Sequence, residues 1–193
     1  MKKGRIGLAL IVFLVFPFSI HAGVPLETTQ ANVNKVLKVL GDASLQEEAK
    51  KEKIRSISNE MFDWNALSRL TLGRNWKKLN DAQRKEFMEL YREILEGAYM
   101  GKLLDYTNEK VVFHKETMLS KNKAEVQTKI IAKNAEIPLH YRMIQRGGSW
   151  KVYDLIIEGV SLVKNYRSQF NEILRKKSPE ELLKLLRKKG GKA

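Results

Sequence analysis

Three histidines, at positions 21, 114 and 140, are the whole imidazole supply of this 193-residue chain, and it contains no cysteine. Thiol nucleophiles, disulfide frameworks and cysteine-ligated zinc or iron–sulfur sites are therefore excluded, and a histidine-rich metal site is disfavoured. Ser161 lies in Gly159-Val160-Ser161-Leu162-Val163, which lacks the second glycine of a nucleophile elbow. Asp154 and Glu158 are four residues apart and have the right type for a general acid/base pair. Asp154 with Tyr141 is the best such pair for a small enzyme acting on a hydrophobic substrate. The same carboxylates suit solvated positions, or positions that hold an arginine. No glycine-rich phosphate loop is present. The chemistry on offer is binding chemistry.

Charge narrows the partners. The chain has 36 Lys and Arg against 22 Asp and Glu, a net +14. Residues 164–193 alone hold ten of the cations and three glutamates, a local +7. Such a stretch attracts nucleic acid, anionic headgroups or an acidic protein surface. The first 22 residues decide among these. Lys2, Lys3 and Arg5 precede an apolar run from Ile6 to Ile20 that ends in His21-Ala22. This is the layout of a secretory signal peptide. The run is shorter than the ~20 residues a spanning helix needs, and Pro17 interrupts it. Cleavage after Ala22 leaves residues 23–193 as one domain with net charge +11. Export makes nucleic acid an improbable partner, and an anionic membrane remains. A cysteine-free chain also suits an oxidising compartment such as the periplasm.

The elements that position these side chains change character midway. Val33, Val36, Leu37 and Leu40 keep helical spacing, and Gly41 stops that helix. Ser44 with Glu47 reads as a capping box for a second helix carrying Ile54, Ile57 and Met61. A short helix over residues 66–72 follows and ends at Gly73. Asn80 and Gln83 form another cap, and the apolar stripe beyond them runs from Phe87 through Tyr91, Ile94, Leu95, Tyr99 and Leu103 to Tyr106. After Asn108 the period becomes two. Four strands are predicted: Val111–Met118, Ala124–Ala132, Ile137–Met143 and Trp150–Ile156, with Gly147-Gly148 as a hairpin turn. A helix over Leu162–Arg175 and a last one opened by Ser178-Pro179-Glu180-Glu181 complete the chain. Helices first and an antiparallel sheet second give an α+β fold. In it, the N-terminal helices, a long helix and the C-terminal helices pack on a four-stranded curved sheet, as in an NTF2-like cone.

At this level of detail the residues resemble a known family. Asp154–Phe170 (DLIIEGVSLVKNYRSQF) and Phe62–Trp76 (FDWNALSRLTLGRNW) are similar to two blocks of the MlaC/toluene-tolerance family of periplasmic phospholipid carriers. Gln83-Arg84-Lys85-Glu86-Phe87 and the Tyr99…Leu103…Tyr106 helix end agree, in the same order, from about residue 27 to residue 185. The resemblance implies a non-enzymatic, monomeric shuttle that encloses the acyl tails of a phospholipid in an apolar cavity. It also implies exchange with an inner-membrane MCE-domain ABC transporter and an outer-membrane lipoprotein complex. The expected activity maintains outer-membrane lipid asymmetry, and a sub-branch handles hopanoids instead. No cofactor and no metal are implied; the phospholipid is cargo. A partner helix seated in the same groove would define an adaptor.

Energetics fit that role. Two tails bury about 30 methylenes at about 0.8 kcal/mol each, so exposing them to water costs ~24 kcal/mol. A carrier must offer an interior nearly as good as the bilayer, and Met61, Met100, Met118 and Met143 would adapt to varied tails. The predicted cavity volume is at or above the upper end of the ~300–1,000 Å³ usual for ligand sites. Tail-lining candidates on inward faces are Trp64, Leu67, Leu70, Leu90, Ile94, Tyr99 and Leu103 from the helices. From the strands they are Val126, Ile130, Leu139, Tyr141, Met143, Val152 and Ile156. Val160, Val163 and Tyr166 come from the C-terminal block. Lys164 and Arg167 face the phosphate or pair with Asp154 or Glu158. Arg69, Arg74 and Lys77 are headgroup or partner contacts.

Overall fold

The computed structural model describes residues 25–105, 109–133 and 135–190. The expected signal peptide, its expected cleavage point after Ala22, and Tyr106 lie outside the described residues. Helix α1 (Pro25–Leu40) ends where Gly41 N–H donates to the Leu37 carbonyl at 2.9 Å. Helix α2 (Glu47–Met61) starts from Gln46 without a side-chain cap. The expected Ser44 cap is absent, because the Ser44 backbone and hydroxyl both donate to Asp42 Oδ1 in a local turn. Phe62 then forms a one-residue parallel bridge to Val152, and Asp63 N–H donates to the Val152 carbonyl at 2.8 Å.

Asp63 also accepts from Ala66 N–H at 2.8 Å, which starts α3 (Trp64–Leu72). That helix ends at Gly73, whose φ of 56° suits glycine. A 3-10 turn (Gly73–Lys78) leads to α4 (Asp81–Leu104), which begins with the expected Asn80/Gln83 capping box. The last helices are α5 (Leu162–Lys176) and α6 (Pro179–Gly190). In α6 the Ser178/Glu181 pair forms the predicted reciprocal cap.

The sheet has five strands, one more than the sequence periodicity showed. These are β1 (Lys110–Ser120), β2 (Lys123–Ala132), β3 (Ala135–Arg146), β4 (Ser149–Ile157) and β5 (Val160–Ser161). All pair antiparallel in sequence order. β5 is two residues long, too short for any periodicity to register. It exists because Glu158 and Gly159 both take positive φ, 49° and 81°, closing a tight hairpin. Four rows of side chains line the inner face: Val111–Ile130–Ile137, Phe113–Thr128–Leu139–Ile157, Glu116–Val126–Tyr141–Leu155 and Met118–Ala124–Met143–Val152.

One bulge changes which residues look inward. Met143 pairs with Val152 but Arg142 pairs with Asp154, so Tyr153 is an extra residue in β4. Beyond it the alternation inverts. Leu155 and Ile157 join the inner rows, and Ile156, expected inward, lies in the outer row with Gln127 and His140.

Candidate functional site

Apolar side chains under the sheet and helices form two large buried clusters joined at a seam. The first draws on α3, α4, α5 and α6 and includes Leu67, Ile94, Val163 and Tyr166. Trp64, Leu70, Leu90 and Tyr99 pack half-buried against it. The second lies between α1 and the sheet and includes Val126, Tyr141, Met143 and Val152, with Leu139 half-buried beside them. Phe62 and Leu155 touch both clusters. They carry the seam; Phe62 opens one of the two family-like blocks, whereas Leu155 did not stand out in the sequence, because only the bulge turns it inward. Ile130 is half-buried on the inner face. Two further candidates are turned outward: Leu103 is 38% exposed at the end of α4, and Val160 is 56% exposed in the hairpin.

The helical cluster is knit by aromatic rings. Tyr91 meets Tyr166 edge-on at 5.1 Å and Phe170 at 5.5 Å, and Phe87 meets Phe170 at 5.5 Å. Burial pushes the Tyr91 and Tyr141 phenols far up from the usual range, and those of Tyr99, Tyr153 and Tyr166 up as well.

The described residues include two small concavities. One of about 200 Å³, between α4, α5 and α6, is lined by Ile94, Gly97, Ala98, Tyr166 and Lys189. The other, about 280 Å³, lies along α5 at Ser168, Asn171, Glu172 and Arg175. Neither approaches the volume expected for two tails, because the candidate lining residues pack against one another along the seam.

The acid/base alternative is not assembled. Tyr141 faces inward beside Leu155, whereas Asp154 pairs with Arg142 on the other face of the sheet. Asp154 is 3% exposed and accepts from the Ser161 hydroxyl at 2.6 Å and from Val163 N–H at 3.0 Å. Ser161 in turn accepts from Lys164 N–H at 3.0 Å. The Asp154–Ser161 unit is therefore the N-terminal cap of α5, which gives a physical reason for that sequence block.

The cations also settle into different roles. Arg167 donates through both Nε and Nη2 to the carbonyl of Leu70, Nε at 2.7 Å, and its side chain lies over Gly73. It pairs with neither Asp154 nor Glu158; it holds the end of α3 against α5. Lys164, Arg69, Arg74 and Lys77 are exposed. Among the described residues no helix is long and apolar enough to cross a membrane, and no cluster of acids and histidines could hold a metal. Among the described residues two buried side-chain polar atoms have no partner, Trp64 Nε1 and Ser68 Oγ.

A curved antiparallel sheet with helices packed over an apolar interior defines an α+β fold. The chain belongs to the MlaC protein family, which matches residues 30–188. It is 29% identical over 117 residues to the intermembrane phospholipid transport system binding protein MlaC of Haemophilus influenzae. That alignment takes in 58% of this chain and only 55% of the relative. It is 26% identical over 184 residues to the toluene tolerance protein ttg2D of Pseudomonas putida, covering 86% and 81% of the two chains. A phospholipid-binding protein from Ralstonia solanacearum, solved in complex with a phospholipid, has the same fold, with a TM-score of 0.79 at 21% identity. The superposition covers 88% of this chain and 98% of that one.

Proposed function

We propose that the chain is a carrier that binds a diacyl phospholipid and moves it between membranes. Residues 1–22 would direct export to the periplasm, and residues 23–193 would form the mature carrier. Its exchange partners would be an inner-membrane MCE-domain ABC transporter and an outer-membrane lipoprotein complex, and the activity would preserve outer-membrane asymmetry. The observation that carries this reading is the seam. Phe62 and Leu155 are half-buried and touch both cores, while half-buried Trp64, Leu70, Leu90 and Tyr99 flank them on the helical core and Leu139 on the sheet core. Parting the cores there exposes a path of hydrocarbon, and acyl chains replace side-chain contacts with equivalent ones. Loading and release are then both possible because neither direction is steeply uphill. The names of the family's relatives and the phospholipid held by the Ralstonia protein support the same cargo.

Transfer of a fluorescent phospholipid from donor to acceptor vesicles tests the proposal. The chain should raise the rate in proportion to its concentration, without vesicle fusion. No acceleration, with the protein folded, would contradict it.

A further inference from the structure

Several helical hydroxyls in this protein have a partner. Thr29 Oγ1 bonds the Pro25 carbonyl at 2.8 Å, Ser58 Oγ the Arg55 carbonyl at 3.0 Å, and Thr71 Oγ1 the Tyr91 hydroxyl at 3.4 Å. Ser68 is fully buried in α3, where a serine ordinarily bonds back to the carbonyl four residues earlier, yet its Oγ has no partner. The indole Nε1 of Trp64, one turn earlier on the same face, is equally sealed and equally unpaired. Buried donors without acceptors are rare in folded proteins, and each calls for an explanation. Phenylalanine and alanine would fill the same space at no such cost.

The position of the pair supplies the explanation. Trp64 stacks on Phe62 with ring centroids 5.1 Å apart, and Phe62 touches both cores. Trp64 therefore sits beside the seam along which tails would enter, and Ser68 lies one turn further along α3. We infer that Trp64 Nε1 and Ser68 Oγ donate hydrogen bonds to the ester carbonyl oxygens of the cargo, an inference that rests on the phospholipid reading above. A diacyl lipid offers two carbonyl acceptors just inside its headgroup and no donor at that depth. An indole N–H is a donor only, and a serine hydroxyl donates readily to a carbonyl. The pair fixes the depth at which the lipid stops and makes the carrier selective for ester-linked chains.

A competition tests this. The full chain is incubated with vesicles of diester and diether phosphatidylglycerol in equal amounts, with matched headgroups and chain lengths, and the bound species are read by native mass spectrometry. The wild-type protein should retain the diester by about tenfold over the diether, since each lost hydrogen bond costs a few-fold in affinity and leaves a donor unpaired. Trp64→Phe with Ser68→Ala should bring the ratio close to one by weakening retention of the diester alone, and Ser58→Ala should leave it unchanged. Equal binding by the wild type, or a preference that survives the double substitution, overturns this inference alone. Binding of neither lipid overturns it together with the carrier reading.

Discussion

Single residues show where stability has been given up. Ser68 buries a hydroxyl with nothing to bond, so its removal relieves desolvation and forfeits no contact. Ser68→Ala should stabilise the lipid-free protein by on the order of 1 kcal/mol, read as a higher urea midpoint at unchanged slope. A lower midpoint would mean that the hydroxyl has a partner in solution. The tyrosines act in the opposite sense. Burial raises the phenols of Tyr91 and Tyr141 in the folded state, so below about pH 10 both states hold the proton and pH has no effect through them. Above that, the unfolded chain ionises first and stability falls by about 1.4 kcal/mol per pH unit for each of the two. Phenolate absorbance from these residues should therefore appear together with loss of circular dichroism. A fully separate phenolate transition in an intact fold would contradict their burial.

At the scale of elements, the legible features were those whose chemistry is local. The caps at Asn80/Gln83 and Ser178/Glu181 lie within one turn of chain, and both form as read. Ser44 shows the limit: the same residue types are present, but Asp42 two positions earlier captures the serine first. Strand periodicity placed β1 to β4 and the inward candidates up to Val152. It failed at Ile156 because the bulge at Tyr153 is set by register against β3, which period-two alternation does not encode. Helix α6 was legible as basic, while its second role was not. Leu182, Leu183 and Leu186 are 0%, 2% and 4% exposed in the helical core, and Arg187 pairs with Glu86 of α4 at 2.6 Å.

The long helix also separates seam from core. Tyr91 is fully buried, Tyr99 half-buried and Leu103 exposed, two turns and then one turn apart along α4. Aspartate at Tyr99 should shift the lipid-free melting temperature little while lowering bound lipid several-fold, since solvent reaches the new charge until a tail seals it, and aspartate at the outward Leu103 should change neither. Tyr91→Asp should fail to fold. If Tyr99→Asp lost folding and lipid to the same extent, Tyr99 would belong to the closed core.

For the whole molecule, the excess of positive charge is most concentrated toward the C-terminus, while α6 holds Leu182, Leu183 and Leu186 in the core. Near an anionic leaflet each exposed cation contributes about 1 kcal/mol at most, and salt screens it within about 10 Å. That is enough to orient a visiting carrier and too little to retain it. Lys184→Glu with Lys188→Glu leaves the leucine face intact and should slow exchange with anionic vesicles several-fold at low salt. The difference should vanish as ionic strength rises, and lipid already bound should stay. Loss of that lipid in vesicle-free buffer would instead assign these cations to holding the cargo.

The seam between the two cores is proposed as a lipid path in a carrier that leaves its cargo chemically unaltered. Native mass spectrometry of the chain purified without detergent tests it most directly. We predict a folded protein carrying intact diacyl phospholipid in stoichiometric amount, with the same lipid recovered chemically unaltered on denaturation. A folded protein that carries no lipid and takes up none from vesicles, or one that returns the phospholipid hydrolysed, would contradict the claim.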